Sequence, residues 1–542
     1  MFYNIQVILR RGLFGFLLLL TITFAVWRTF PPRSLPSDAP AEVFSAGRAV
    51  ETLQVIARSP RSVGSAAYET ARYYLLTQLV TLGMSAETQD LAFGGVWVEN
   101  TLGRLPGRSS KQAILLVAHL DSVAGTPGAM DNASGVAEVL ETVRALRAGP
   151  ALENTIIVLF TGPEENCCYG AGAFVRRHPW ARDVRLVINT DAGGVSGPSI
   201  LAATGPQEGW LIREMADSLP HPLGSSAIEA FGNPATDYSL EFRRDGFPGV
   251  DFNLSWTKRI HTPLDNLANI NPASIQHQGE HLLAVARHFG NMPLDFPSEP
   301  RPVYFDLLGS TLVHYPTTWA IPFFLLPAFL LAAVLYIGLN GKWLSPAGMA
   351  HGGLALFLSL VTGPLLLLLI QWAVIQPLLR SAEGVRLGRE LSGDSLLSNG
   401  FRWGSVILTV IASGLWVGLF RRTKRVRMED FATGAYGILF IAAGVTSVIF
   451  PEVSYLFVWP LSIGLMAVLL QFLSNGVAWP GLKWVAAFGW LAAATAAIGL
   501  FVPGILIATL SVEIEMIYLV PAFMAVLGGF MVGPALMVLE RG

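Results

Sequence analysis

LLVAHLDSVAGTPGAMDNASG, residues Leu115 to Gly135, opens as an apolar run with the look of a buried strand and closes on residues suited to a turn and a helix start. Two later stretches repeat the pattern, IIVLFTGPEEN at Ile156 to Asn166 and LVINTDAGG at Leu186 to Gly194. Each begins short, apolar and rich in β-branched residues, and each ends in a residue able to bind a metal. The runs deliver His119, the pair Glu164 and Glu165, and Asp191 to one edge. In an open α/β sheet the carboxyl ends of parallel strands line the crevice where ligands sit, so that edge is the expected site.

A fourth run, FPGVDFNLSW at Phe247 to Trp256, leads to Ile260, His261, Thr262, Pro263, Leu264, Asp265 and Asn266. With Asp131 included, the potential ligands are two imidazoles and three carboxylates, with one carboxylate to spare. A mixed nitrogen and oxygen set without thiolates suits zinc. Two ions at ~3.5 to 4 Å separation need more donor atoms than five side chains offer singly, and a bridging carboxylate and a bridging water make up the difference. Asp131, Asn132 and Ser134 stand immediately before the helical run GVAEVLETVRALRA, where one side chain is expected to cap the helix.

The ordered set His-x-Asp, Asp-Asn-x-Ser-Gly, Glu-Glu, Asp and His-Thr-x-x-Asp resembles the co-catalytic dizinc aminopeptidases of the bacterial leucyl aminopeptidase and aminopeptidase Y type, over roughly residues 45 to 290. Thr236-Asp237-Tyr238 before a GVDF strand, on a chain rich in apolar runs, is most similar to the membrane branch of endoplasmic reticulum metallopeptidases and vacuolar membrane proteases. The resemblance implies that His119 and Asp191 hold one zinc, Glu165 and His261 the other, and that Asp131 bridges the two. It further implies Glu164 as general base and Asp121 as the carboxylate that orients His119. The implied fold is of the zinc exopeptidase type, a mixed, mostly parallel twisted α/β sheet with helices on both faces. The implied activity is removal of N-terminal residues from peptides by a zinc-bridging hydroxide.

Of 542 residues, 52% are hydrophobic and only 14% charged, so the chain is too long for one core and too apolar for a purely soluble one. A net charge of −2 offers no basic field, which argues against nucleic acid as a partner. The expected partners are a peptide substrate and membrane lipid. Cys167 and Cys168 are adjacent, and neighbouring cysteines rarely close a disulfide, so both are read as buried structural thiols.

Arg10 and Arg11 precede an apolar run from Gly12 to Trp27, which reads as a signal anchor with a cytoplasmic N-terminus. Two helices are expected between Ala41 and Met84, a strand in VWVENTLGRLPG, and a closing helix from Asn271 to Phe289. After a proline-rich segment come seven apolar runs, near 317–340, 349–375, 403–420, 431–450, 453–473, 484–507 and 514–538. The resulting division is an anchor helix (1–30), a linker (31–44), a dizinc peptidase domain (45–292), a second linker (293–316) and a polytopic all-α membrane domain (317–542). The run RRTKRVR after Phe420 falls on the cytoplasmic side, which places the peptidase domain on the periplasmic or lumenal side, in a bacterial inner membrane. The spans carry almost no ionisable residues at mid-depth, unlike an ion-coupled transporter. A carboxypeptidase or dipeptidase of the same fold, or a non-catalytic binding scaffold, are the alternatives.

Overall fold

The structure is a computed structural model describing residues 2–205, 209–231, 235–257, 259–295, 297–375, 377, 396–423, 427–476, 480–511 and 519–539. The chain divides into two units, one of residues 30–316 and one of residues 1–29 with 317–542.

The first unit is built on a seven-stranded sheet. Its strands are β1 (Ser85–Phe93), β2 (Val96–Leu105), β3 (Ala113–His119), β4 (Thr155–Thr161), β5 (Val184–Ala192), β6 (Ser196–Thr204) and β7 (Gly249–Trp256), in the spatial order β1-β2-β4-β3-β5-β7-β6. The central four, β4, β3, β5 and β7, run parallel; β2, β1 and β6 complete the edges antiparallel. Central position explains the sequence. Every residue of β3 and β4 is buried, so those strands read as unbroken apolar runs rather than alternating ones. Removing one such side chain, as in Leu116→Ala, costs about 2–5 kcal/mol because the layers on both faces cannot close over the cavity.

The helices Ala46–Ile56, Ala133–Ala148 and Pro272–Phe289 contact one another, and with Ile114, Leu116, Ile188 and Phe252 they form the larger core cluster. Tyr169–Arg177 contributes Phe174 to a second cluster with Leu115, Val117, Tyr238 and Phe242. The expected α/β sheet is present, with two strands that the sequence reading does not contain. In β1, SAETQDLAF buries only Gln89 deeply, the mark of a polar edge strand. In β6, SGPSILAAT is built from weak strand formers and holds its place through β7.

In the second unit, seven helices among the described residues are long and apolar enough to cross a membrane: 11–28, 317–340, 346–373, 399–420, 429–449, 455–476 and 481–510. Of the last apolar run, residues 514–518 lie outside the described residues and the rest lies on helix Leu519–Leu539, whose apolar span Val520–Ala535 is shorter. Glycine lets these helices approach closely. A side chain at Gly352 would collide with the Phe431 carbonyl, and one at Gly434 with the Met349 carbonyl. Two buried ionic groups are tied to helix ends: Arg402 donates to the carbonyls of Thr509 and Leu510, and Asp430 accepts from the amide and hydroxyl of Ser345. Lys424, Arg425 and Val426 of the basic run, and the segment 378–395, lie outside the described residues.

Candidate metal centre

Four parallel strand ends and their following loops supply the site. His119 is the last residue of β3 and pairs in register with Thr161, the last of β4. Gly162 and Pro163 then break the strand, and Glu164 and Glu165 follow. Asp191 stands one residue before the end of β5. His261 comes from the loop after β7, with a left-handed backbone (φ 57°), and its side chain is half exposed, while Glu165 is partly buried and His119, Asp131, Glu164 and Asp191 are buried.

Asp131 reaches the site because its neighbour does the capping. The Asn132 side chain accepts the Gly135 amide at 3.1 Å, so the Asp131 carboxylate is spared that role. Its Oδ1 lies 3.1 Å from His119 Nε2 and its Oδ2 lies 3.1 Å from His261 Nε2. Around these two contacts are two donor groups, His119 with Asp131 and Asp191, and Asp131 with Glu165 and His261, each with its atoms within 4.8 Å of one another. His119 Nε2 is 3.5 Å from Asp191 Oδ1, and His261 Nε2 is 3.2 Å from Glu165 Oε2. Glu164 approaches from the side, its Oε2 3.9 Å from His119 Nε2.

The electrostatics fit cations. Contacts with Asp131 and Glu165 push the His261 imidazole up to about 10. Burial alone would lower His119, but Glu164, Asp121, Asp131 and Asp191 together hold it well above its ordinary value. Burial would likewise raise Asp131, yet the two imidazoles bring it down to about 2. Each histidine is thus drawn toward a positive charge by carboxylates that share it. Divalent ions with nitrogen and oxygen preferences satisfy the same demand, and the donor types suit zinc.

Three residues hold this arrangement and were given no part in it by sequence reasoning. Asp265, fully buried, accepts the amides of Met130 and Asp131 at 2.7 and 3.0 Å, fixing the backbone from which Asp131 projects. The aspartate that closes the His-Thr-x-x-Asp pattern was the signal. Arg61, also fully buried, donates to the carbonyls of Leu120, Pro127 and Gly128 and so clamps the loop between His119 and Asp131. Glu138 lies beneath, accepting from Thr190 Oγ1, and burial pushes its carboxyl up to about 8. Nothing in the sequence points to an isolated arginine or a mid-helix glutamate. The cysteines differ from expectation in one respect. Cys168 is buried but Cys167 is exposed, because both adopt left-handed backbone and the turn throws the first outward.

Residues 100–286 match Peptidase family M28. Over about the same part, the chain is similar to endoplasmic reticulum metallopeptidases and vacuolar membrane proteases. Endoplasmic reticulum metallopeptidase 1 of Mus musculus is 35% identical over 244 residues, covering 43% of this chain and 27% of that protein. The vacuolar membrane protease of Candida albicans (strain SC5314) is 31% identical over 271 residues, covering 47% of this chain and 31% of that protein. The chain therefore spans about a third or less of these relatives. Among solved structures, the aminopeptidase from Aneurinibacillus sp. strain AM-1 is similar at 14% identity and a TM-score of 0.39, over 48% of this chain and 98% of that one. A zinc aminopeptidase from Bacillus subtilis is similar at 14% and 0.38, over 50% and 99%. The M28 segment covers β3 to β7 and every residue of the two donor groups. The membrane relatives belong to the endoplasmic reticulum and the vacuole, and the bacterial inner membrane finds no support among them.

Proposed function

We propose that the chain is a membrane-anchored dizinc aminopeptidase. His119 and Asp191 would hold one ion, Glu165 and His261 the other, and Asp131 both. One observation carries this reading: the two oxygens of a single carboxylate, Asp131, each meet a different imidazole at 3.1 Å, so that Asp131 belongs to both donor groups. When bound, zinc supplies Lewis acidity, polarising a scissile carbonyl and acidifying the attacking water.

The remaining work falls to side chains. Glu164 takes the proton from the attacking water and returns it to the leaving amine. Burial and the neighbouring carboxylates of Asp191, Asp237 and Asp121 raise this carboxyl well above its usual range in the metal-free chain, although His119 opposes them. Asp121 accepts the amides of Glu164 and Glu165 and fixes the loop that carries both. The peptide's free amine meets an acidic site mouth with His261 at its rim.

The test is hydrolysis of a panel of aminoacyl reporters by the purified chain, with zinc content measured before and after chelation. Two zinc ions per chain and activity lost with them support the reading. Activity that persists without metal, or cleavage only at blocked N-termini, ends it.

We further propose that the helical unit is a membrane domain and that residues 45–292 face the lumen or outer compartment, since Arg10 and Arg11 and the run after Phe420 are the basic flanks. Reporters fused after Ser298 and after Lys424 then answer from opposite sides of the membrane. Reports from the same side overturn this orientation.

A further inference from the structure

The turn after the glutamate pair gathers a third group of donors, and it contains sulfur. Glu164, Cys168 and Asp237 each offer one atom, all within 4.8 Å of one another, and all three residues are buried. The left-handed conformations of Cys167 and Cys168 (φ 84° and 57°) fold the chain back, so that the Cys168 amide donates to the Glu164 carbonyl at 2.8 Å and its thiol to Glu164 Oε1 at 3.2 Å. Asp237 enters from the turn before Tyr238–Phe242. Its Oδ2 accepts the Thr161 hydroxyl at 2.5 Å, while Oδ1 is buried without a hydrogen-bond partner on a residue only 1% exposed.

A buried thiol bonded to a carboxylate can be simple packing. The unpartnered Asp237 oxygen is what that account leaves over, since a buried acceptor without a donor costs about 1–3 kcal/mol. A cation accounts for it. Donors around a tetrahedral ion with metal–sulfur and metal–oxygen distances of ~2.3 and ~2.1 Å stand about 3.5 Å apart, close to the sulfur–oxygen separation already present. The donor chemistry also differs from that of the neighbouring pair of groups, which has no sulfur, so this set favours softer ions.

We infer that Glu164, Cys168 and Asp237 form a separate site for a soft divalent cation, and that its occupation withdraws Glu164 from catalysis. The ion displaces the Cys168 proton to solvent and binds the thiolate and one oxygen from each carboxylate. The inhibitory half of this inference rests on the reading of Glu164 as general base; the binding half does not.

The experiment titrates cadmium into the zinc-loaded full chain, following ultraviolet thiolate-to-cadmium absorption and reporter turnover together. The expected result is one saturable absorption step, with turnover falling at the same midpoint. Cys167→Ser retains the step. Cys168→Ser, which keeps a donor for Glu164, loses it, and Asp237→Asn weakens the midpoint by at least about tenfold, the scale of losing even an outer partner of a metal. An absorption step that survives Cys168→Ser, or vanishes with Cys167→Ser, overturns the site, as does wild-type protein with no step. A step without any loss of turnover upholds the binding site and overturns the part given to Glu164.

Discussion

The carboxylate of Asp121 accepts the backbone amide of Glu164 through both oxygens, at 3.0 and 3.1 Å, and that of Glu165 at 3.2 Å. His119 Nδ1 stands 3.6 Å from the same carboxylate and 3.1 Å from the Asp121 carbonyl. The side chain that the resemblance gives to His119 thus braces the glutamate loop, and the main chain of the same residue meets the histidine. Asp121→Asn replaces one acceptor oxygen by a donor that faces other donors. Its kcat should fall about 10- to 100-fold while zinc content stays near two per chain. Loss of zinc with unchanged turnover per bound ion would show instead that the carboxylate serves His119.

Glu164 and Glu165 are adjacent but face different partners. Glu165 Oε2 meets His261 and its Oε1 accepts the Val123 amide at 3.1 Å, whereas Glu164 lies toward His119 and Cys168. Glu164→Gln should keep its metal and lose about 10² to 10⁴ in kcat, the usual worth of a positioned general base. Glu165→Ala should lose metal from one position and recover part of its activity in added zinc. Side-by-side zinc analysis and kcat decide the matter; a Glu164→Gln protein with near-normal turnover, or one that sheds zinc, refutes the assignment.

The central strands were legible because burial on both faces writes them as plain apolar runs, with His119, Glu164 and Asp191 just where those runs stop. The edge strands were not, because β1 and β6 owe their conformation to pairing with a neighbour rather than to their own residues. The donors were readable as residue types at strand ends. What the sequence could not convey is which groups hold them. Arg61 clamps the loop through carbonyls 59 to 67 positions away, and Asp265 acts through amides 134 and 135 positions away. Such contacts leave no periodic trace. That Asn132 rather than Asp131 caps its helix is likewise a matter of local geometry, since both residue types cap well.

Asp265 offers a test of that hidden support. Asp265→Ala removes the only side chain shown accepting the Met130 and Asp131 amides and leaves both buried. The cost should be about 1–3 kcal/mol for each unsatisfied amide, read as a lower thermal unfolding temperature of the metal-free protein. Zinc affinity should drop as well, because Asp131 loses its fixed backbone. An unchanged unfolding temperature with normal zinc content would mean that Arg61 alone maintains the loop.

A pair of histidines in tilted ring contact, away from the centre, sets an acid limit to stability. His277 and His281 lie with ring centroids 4.4 Å apart, on helix Pro272–Phe289 against β6. His281 Nδ1 lies 2.9 Å from the Ser199 hydroxyl and its Nε2 donates to the Pro220 carbonyl at 2.8 Å, while His277 Nδ1 accepts the Ser199 amide at 3.1 Å and its Nε2 donates to the His221 carbonyl at 3.0 Å. The Ser199 amide can only donate, so His277 Nδ1 accepts and that ring is neutral. Burial, reinforced by His277, lowers His281 well below its ordinary value. The unfolded chain, by contrast, takes up a proton on this residue as pH falls through about 6.5. The folded state therefore binds fewer protons, and the stability contributed by neutral His281 is complete above that pH and is lost as the pH drops below it. The expected slope approaches ~1.4 kcal/mol per pH unit for one proton. Thermal unfolding of the chain between pH 7.5 and 5 should show this decline, and His281→Gln, which carries a donor and an acceptor but no titrating group, should be less stable at pH 7.5 yet flatter toward pH 5. A wild-type profile that rises toward acid, or a variant with the same slope as wild type, would remove His281 from the account.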